Sequence, residues 1–264
     1  METKSNHNYT LVTGASSGLG KRLAIEFAKR NHQLFLVSLP DTGLPVVAEE
    51  IKQQYGVEVK YLEIDLTTFE APQKVFDYAE QNNLSINVLA NNAGVGYDGK
   101  LENLSPKLID DMILLNIRTS TMLIFLFLPK LKMYSKAYIL NVSSFSAFVP
   151  LPYKCVYAAT KTFLLYFTRA IKNEIRNSGI SITTVYPSGI RSERALENVR
   201  KSHPIARISS LSPEYVAKVS VDNMYNGNSF VIPGMVTKFY YLLGSVMPQG
   251  LMIRIAGFFF QRTT

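Results

Sequence analysis

Residues Tyr9 to Gly20, YTLVTGASSGLG, join a short apolar run directly to a glycine-rich turn and a helix-like stretch. Such a turn lets backbone N–H groups at a helix N-terminus approach a pyrophosphate, because glycine has no Cβ to block the approach. The spacing is TGxxxGxG, with Gly14, Gly18 and Gly20, and not GxGxxG. The segment therefore predicts a phosphate-binding turn, with a purely structural turn between strand and helix as the alternative.

Beyond this segment, short β-rich runs alternate with longer helix-like runs, which is typical of βαβ units and a parallel sheet. Strands are predicted at Tyr9 to Thr13, Gln33 to Ser38, Val59 to Ile64, Asn87 to Asn91, Ala137 to Val142, Ser181 to Tyr186 and Ser229 to Ile232. Helices are predicted at Leu19 to Asn31, Pro45 to Tyr55, Thr67 to Gln81, Pro106 to Met133, Val156 to Asn177 and Pro213 to Tyr225. We expect a single α/β domain on a doubly wound parallel sheet, with its site beyond the carboxyl ends of the strands, where the strand order reverses.

The composition limits the class of protein. Of 264 residues, 47% are hydrophobic and 18% charged, which excludes a disordered chain. The lone Cys155 excludes an internal disulfide, and because the sequence has no cluster of Cys and His, we expect no metal site. The amino end, METKSNHNYT, has no apolar signal-peptide core, so we expect a cytoplasmic protein. A net charge of +8 suits nucleic acid, an anionic membrane surface or an acidic ligand, and does not decide between them.

Polar motifs follow the fourth and fifth predicted strands. Asn91 to Gly94 (NNAG) comes after the fourth strand, and Ser144 lies at the end of the fifth. Tyr157 and Lys161 lie four residues apart in a helix-like run, so they share one helix face. An ammonium about 4 Å away would lower the pKa of the phenol by roughly three units, opposed in part by desolvation. The pair predicts a tyrosine that acts as a general acid or base, and a packed helix face is the alternative.

The order of these motifs resembles that of the short-chain dehydrogenase/reductase family over Tyr9 to Ile232, and is similar to its hydroxysteroid dehydrogenase and ketoacyl reductase members. The family's TGxxxGxG, NNAG and YxxxK motifs all match this sequence. Its PGxVxT motif appears as PSGIRS, with Ser188 in place of glycine and Ser192 in place of threonine. The resemblance implies four catalytic residues: Asn116, Ser144, Tyr157 and Lys161.

The resemblance also implies a Rossmann-like fold and an NAD(P)-dependent oxidoreductase that interconverts a ketone or aldehyde and an alcohol by hydride transfer. Tyr157 would exchange a proton with the substrate oxygen and Ser144 would orient that oxygen. Lys161 would lower the tyrosine pKa and hold the ribose, and Asn116 would support a water path for the proton. The implied cofactor-binding residues are Gly14, Ser16, Ser17, Gly18, Leu19, Gly20, Ser38, Asp65, Leu66, Asn92, Ala93, Gly94, Tyr157, Lys161, Pro187 and Ile190.

The end of the second strand favours NADP(H) over NAD(H). An acidic residue there would repel a 2′-phosphate, but this strand ends in Ser38 followed by Leu39. Lys21 and Arg22 lie in the first helical turn, where the macrodipole disfavours cations and a bound phosphate could compensate. Solvated lysine and arginine side chains are the alternative.

Two other classes of function compete with an enzyme. A cofactor-binding sensor or scaffold of the same fold would usually lack a catalytic side chain, and all four are present here. A nucleic-acid-binding protein would need a basic recognition helix or an aromatic stacking motif, and the sequence has neither. We therefore expect a small-molecule partner, a bulky hydrophobic carbonyl compound or the corresponding alcohol, and no nucleic acid.

Residues 1–232 are predicted to form the catalytic domain, and residues 233–264 an apolar, basic extension. From Asn223 onward the chain has no acidic residue, and we expect two short amphipathic helices that contact an anionic bilayer peripherally. A tail folded over the substrate pocket, or a subunit contact, is the alternative. The segment Gly189 to Leu211 is predicted to be a mobile substrate lid, with a solvated basic helix as the alternative. The apolar runs Leu123 to Leu128 and Phe163 to Phe167 fit a homo-oligomer contact or burial against the sheet.

Overall fold

The computed structural model describes residues 8–191 and 209–260. Its strands are β1 Asn8–Thr13, β2 Gln33–Ser38, β3 Val59–Glu63, β4 Ser85–Asn91, β5 Ala137–Val142, β6 Ile180–Val185 and β7 Phe230–Val231. They form one parallel sheet in the order β3-β2-β1-β4-β5-β6-β7. The strand order reverses between β1 and β4, so a ligand crevice is expected at their carboxyl ends. The predicted Rossmann-like, doubly wound α/β fold is confirmed.

The helices are α1 Gly18–Ala28, α2 Leu44–Tyr55, α3 Ala71–Gln81, α4 Pro106–Ile113, α5 Ser120–Leu131, α6 Cys155–Glu174, α7 Pro213–Tyr225, α8 Met235–Val246 and α9 Gln249–Phe260. Helices α1, α2 and α7 pack on one face of the sheet, and α3, α5 and α6 pack on the other. Alternate residues of one strand serve the two cores, as Leu11 and Val12 do in β1, because successive strand side chains point to opposite faces.

The predicted helix Pro106 to Met133 is not uniformly α-helical. A π-helical stretch, Leu114–Thr119, separates α4 from α5, and the helix ends at Leu131. Single π turns inside α-helices are frequent at functional sites. Asn116 lies within this stretch and is fully buried.

The same helix, Pro106–Leu131, is long and apolar enough to cross a membrane, with a mean hydropathy of 1.7. Its side chains Leu123, Ile124 and Phe127 are nevertheless buried in the core beneath the sheet. Packing inside the domain therefore accounts for part of the apolar character of the helix, while Ile113 and Phe125 stay exposed.

Helices α1 and α3 are shorter than predicted. Near one end of each helix lies a residue with left-handed backbone or a polar side chain that binds backbone groups. Helix α1 stops at Ala28, and Asn31 has a left-handed φ of 62°. Helix α3 starts at Ala71, because Asp65 holds the preceding turn by accepting hydrogen bonds from the Thr67 backbone (2.9 Å) and hydroxyl (2.7 Å). Polar side chains of this kind compete with the helix for backbone groups.

Helices α8 and α9 lie in the predicted extension, and α8 docks on the sheet by one face. Thr237 is buried and Tyr241 packs edge-on against Phe148, with ring centroids 4.7 Å apart. The opposite face is apolar and exposed, with Phe239 61% and Leu242 62% exposed. The extension thus consists of two helices that keep large apolar side chains in solvent.

The predicted lid lies largely outside the described residues. At its ends, Ile190 and Leu211 form a parallel bridge. Two apolar runs were proposed for self-association. Leu123 to Leu128 contributes mostly to the core, although its Phe125 is exposed, and Tyr166 is exposed in the second run, Phe163 to Phe167. A homo-oligomer stays a prediction.

We expect the free energy of unfolding to fall as the pH drops below about 6.5, the usual pKa of a histidine in an unfolded chain. His32 lies between Thr10 (2.9 Å) and the Tyr225 hydroxyl (2.6 Å), where burial, aided by the charge of Arg30, lowers its pKa. The unfolded chain therefore takes up the proton first. Urea unfolding at pH 7.5 and 5.5 measures the loss, and His32→Gln should reduce it. Equal pH dependence in wild type and His32→Gln would contradict this.

Candidate active site

The glycine-rich turn leads from the end of β1 into α1. Gly14 and Gly18 have left-handed φ values of 66° and 54°, which favour glycine. A Cβ on Gly20 would lie 1.9 Å from the Gly14 carbonyl oxygen, so the helix can approach the strand end only with glycine there. Ser17 precedes the helix and makes no side-chain capping bond, and the first turn holds no acidic residue. The arrangement fits a pyrophosphate at the N-terminus of α1.

The Asn-rich turn after β4 is tied directly to the glycine-rich turn. The Thr13 hydroxyl accepts hydrogen bonds from the backbone N–H groups of Asn92 and Ala93, each at 3.0 Å. The Asn92 amide in turn donates to the Thr13 carbonyl at 2.9 Å. These bonds hold the carboxyl ends of β1 and β4 together at the point where the strand order reverses.

The edge of the site beyond β2 is lined by small polar side chains. Ser16 and Ser38 are both buried, and their hydroxyls lie 2.8 Å apart. One Asp65 oxygen is engaged by Thr67, and the Leu66 carbonyl accepts from Thr119 at 2.7 Å. These sequence-predicted cofactor residues therefore come together along one rim of the crevice.

Lys21 and Arg22 are not simply solvated. Lys21 pairs with Glu50 at 2.7 Å and Arg22 pairs with Glu214 at 2.8 Å, and the four side chains are partly to well exposed. Exposed pairs of this kind are worth about 0–1 kcal/mol, so a phosphate could replace either carboxylate at small cost.

Ser144, Tyr157 and Lys161 converge beyond β5 and in the first turns of α6. The Ser144 and Ser146 side chains lie close enough to the Tyr157 phenol to act on its pKa. The Ser144 hydroxyl also accepts from the Ser146 backbone at 3.2 Å. The buried Lys161 ammonium donates to the Val142 carbonyl at 3.0 Å and lies 5.8 Å from the centre of the Tyr157 ring.

Asn116 joins this group from the π-helical stretch. Its side chain accepts from the Val95 backbone at 2.9 Å, donates to the Val95 carbonyl at 2.8 Å, and donates to Thr160 at 3.0 Å. A Cβ on Gly94 would lie 3.0 Å from the Asn116 oxygen and 3.2 Å from the Lys161 ammonium. The NNAG turn, Asn116 and Lys161 are thus packed against one another.

The electrostatics differ from the expectation that Lys161 lowers the pKa of Tyr157. Burial raises the pKa of the phenol, the nearby Ser144 and Ser146 hydroxyls offset part of the rise, and the Asp98 carboxylate adds to it. Burial also lowers the pKa of Lys161 to about 8. The expected shift of the phenol toward neutrality is therefore wrong, because burial is the largest influence on the Tyr157 pKa and raises it.

The segment after β6 completes the site. The Pro187 carbonyl accepts from the Phe145 backbone at 2.8 Å, next to Ser144. Ser188, which replaces the family's glycine, donates to the Ser209 carbonyl and accepts from Thr237 at 3.1 Å. This departure thus links the strand end to helix α8. Ser192 lies outside the described residues.

Two side chains that act on the phenol, and a lysine paired with one of them, were not predicted from the sequence. Ser146 lies two residues after the predicted serine, and its spacing could have suggested it. Asp98 and Lys154 pair at 2.7 Å, but no spacing rule predicts the contact.

The arrangement offers two hydroxyl donors, from Ser144 and Tyr157, to one substrate oxygen, with an ammonium nearby. Such a set can polarise a carbonyl and transfer a proton to it. The glycine-rich turn beside it fits a dinucleotide, since a pyrophosphate can approach the backbone N–H groups at the start of α1. Together these features suit carbonyl chemistry with a nicotinamide cofactor.

Comparisons with known proteins agree with this geometry. The family model for short chain dehydrogenase matches residues 8–203. A very-long-chain 3-oxoacyl-CoA reductase from Anas platyrhynchos is 37% identical over 185 residues, which cover 68% of this chain and 58% of that reductase. Reductase-B of the same name from Danio rerio is 33% identical over 96% of this chain and 80% of its own. The chain therefore spans little more than half the length of the first of these relatives.

Solved structures agree on the fold. A short-chain dehydrogenase from Sphingobium yanoikuyae in complex with NADPH has a TM-score of 0.79 at 28% identity, covering 93% of this chain and 95% of its own. A bulky-bulky ketone specific alcohol dehydrogenase from Comamonas testosteroni has a TM-score of 0.78 at 26% identity, covering 94% of both chains. The chain belongs to the short-chain dehydrogenase family of NAD(P)-dependent oxidoreductases.

Proposed function

We propose that the protein reduces a ketone on a hydrophobic substrate, or oxidises the corresponding alcohol, with Tyr157 as the general acid or base. The convergence of Ser144, Tyr157, Lys161 and Asn116 beside the glycine-rich turn carries this proposal. A non-catalytic sensor would have no need to keep two hydroxyls and an ammonium at one point.

Each residue has a separate role in this proposal. Ser144 donates to the substrate oxygen and orients it, and the Tyr157 hydroxyl passes its proton to the same atom. The Lys161 ammonium holds the ribose hydroxyls and, by its charge, opposes the rise in the tyrosine pKa. Asn116 fixes the NNAG turn through Val95 and supports the route by which the proton is replaced. The nicotinamide, when bound, supplies or accepts the hydride.

We propose that the substrate is a long-chain 3-oxoacyl thioester or a comparably bulky ketone. The names of the 3-oxoacyl-CoA reductase relatives support the first of these, and the alcohol dehydrogenase that takes bulky ketones supports the second. A cavity of about 670 Å³ lies between the segment that follows Ser144 and the C-terminal helices. Its lining is mostly apolar and includes Phe148, Leu151, Leu165, Tyr241 and Ile253. Apolar lining favours an alkyl chain over a sugar.

We expect Tyr157→Phe to abolish reduction of 3-oxododecanoyl-CoA by NADPH while cofactor affinity stays nearly unchanged, because only the transferable proton is removed. Lys161→Ala should weaken both turnover and binding. Initial rates and fluorescence titration with NADPH measure the two quantities, and Tyr61→Phe, an exposed tyrosine in β3 at the far edge of the sheet, is the control. If Tyr157→Phe kept more than about a tenth of the activity, a loss under about 1.4 kcal/mol, the assigned role would be wrong. Wild-type binding without turnover would favour a sensor.

We propose that NADP(H) is preferred over NAD(H). Strand β2 ends in Ser38, whose hydroxyl is hydrogen-bonded to that of Ser16. The end of the strand therefore offers no carboxylate that would repel a 2′-phosphate. Lys21 and Arg22, at the start of α1, are held only by partly exposed carboxylates.

The preference is measured as the ratio of kcat/KM for NADPH to that for NADH. We expect a ratio above one that falls in Lys21→Ala, because a phosphate loses its cation. Lys29→Ala, just after the other end of the helix, should leave the ratio unchanged. A higher kcat/KM with NADH in the wild type would overturn the preference.

We propose that residues 1–232 are the catalytic unit and that 233–264 form an extension which contacts an anionic membrane surface. Helices α8 and α9 expose Phe239, Leu242, Val246 and Phe258. Lys238 and Arg254 are also exposed on these helices, where they can meet anionic headgroups. The protein would then be cytoplasmic and peripheral at the membrane.

Vesicle co-sedimentation tests this contact. We expect the wild type to pellet with phosphatidylserine-containing vesicles, and Phe239→Ser with Leu242→Ser to lose at least about two-thirds of the bound fraction, since the apolar contact is removed. The matched control, Val46→Ser with Phe69→Ser, changes two exposed apolar residues elsewhere on the surface. An equal loss of the vesicle-bound fraction in both double variants, or no loss in either, would contradict the proposed membrane contact.

A further inference from the structure

The segment Val95–Gly99 lies across the ring of Tyr157. A Cβ on Gly96 would lie only 2.9 Å from the Tyr157 Cδ2 atom and 3.0 Å from Cε2, so the backbone of the segment rests directly on the ring. At its first residue, Val95, the segment is held on both backbone groups by the Asn116 side chain. The position of the catalytic phenol therefore depends on where this segment lies.

The other end of the segment is fastened to the start of α6. The Gly99 backbone N–H donates to the Tyr153 carbonyl at 2.7 Å, and Asp98 pairs with Lys154 at 2.7 Å. Tyr153 has a left-handed φ of 66°, a conformation that is uncommon for a bulky residue. A strained residue at such a point indicates that the surrounding contacts enforce it.

The charges of this ion pair lie close to the reacting group. Tyr157 comes three residues after Lys154, and the Asp98 carboxylate is one of the groups that raise the pKa of Tyr157. The Lys154 side chain is 21% exposed, whereas Asp98 is 60% exposed. The largely shielded Lys154 ammonium can thus offset the Asp98 carboxylate, which acts on the phenol.

We propose that Asp98 and Lys154 are a positioning pair, which clamps the Val95–Gly99 segment onto the Tyr157 ring and balances charge beside the phenol. The proposal rests on the proposed function, because it gives Tyr157 the role of proton donor. Neither residue touches the substrate oxygen in this account, so both act through Tyr157.

The other groups around Tyr157 in the described part of the chain complete the charge balance. Lys161 approaches from α6, and Ser144 and Ser146 approach from the end of β5. With these unchanged, Lys154→Met leaves the Asp98 carboxylate uncompensated and should raise the tyrosine pKa. Asp98→Asn removes the carboxylate and should lower it.

Two measurements test the proposal. The first is amide hydrogen exchange of residues 93–104 in the cofactor-free protein, which needs no turnover. Both single variants should exchange at least about threefold faster at the Gly99 amide, because a local opening becomes more frequent. Lys100→Met, which breaks the exposed 3.4 Å pair with Glu102 in the same loop, is the matched control and should not.

The second measurement is the pH profile of NADPH-dependent reduction of 3-oxododecanoyl-CoA. Reduction needs a protonated Tyr157, so activity falls at high pH as the phenol loses its proton. This basic limb of the profile should move to higher pH in Lys154→Met and to lower pH in Asp98→Asn, each by about half a pH unit or more. The double variant should return the limb to near its wild-type position while its kcat stays low. A merely structural pair would lower activity in both single variants without opposite shifts.

The proposal of a positioning pair would be overturned by any of three results. These are unchanged exchange at the Gly99 amide in both single variants, an equal increase in Lys100→Met, or shifts of the basic limb in the same direction in both single variants. If the wild type did not reduce the thioester, the proposed function would fail, and faster exchange at Gly99 would still support the clamp. The two failures are thus separable.

Discussion

The close approach of α1 to the end of β1 is the constraint on which the rest of the site depends. The approach requires Gly20 to lie against the Gly14 carbonyl, where any Cβ would collide. It also brings Asn92 within reach of Thr13, so that the turn after β4 is fastened to the turn after β1. From that point Gly94 passes beside Asn116 and Lys161, and the catalytic group and the phosphate cradle take a fixed relative position.

Much of this arrangement could be predicted from the sequence, because it depends on periodicity and on short motifs. The alternation of β-rich and helical runs predicted all seven strands and their parallel sheet, since burial on both faces favours continuous apolar runs such as Leu34 to Val37. Glycine spacing predicted the cradle because backbone conformation and close approach leave glycine as the residue that fits.

Features that depend on long-range contacts were not predictable. The pKa of Tyr157 follows from how densely its surroundings pack, and an i, i+4 spacing to Lys161 says nothing about that. The contact between Asp98 and Lys154 joins residues 56 positions apart through a loop whose path no local pattern encodes. The role of Ser188 depends on Thr237, which lies in a helix beyond the family's motifs. In each case tertiary geometry, and not residue type, decides the outcome.

The π-helical stretch at Leu114–Thr119 sets the rotational phase of the helix on either side of it. Each residue of an α-helix turns the chain by about 100°, so one wider turn offsets every later side chain relative to the earlier ones. Asn116 can therefore face the catalytic group while Leu123 and Phe127 still face the sheet. Deleting a single residue here would remove that offset, and the helix could then serve either its core or its catalytic face, but not both.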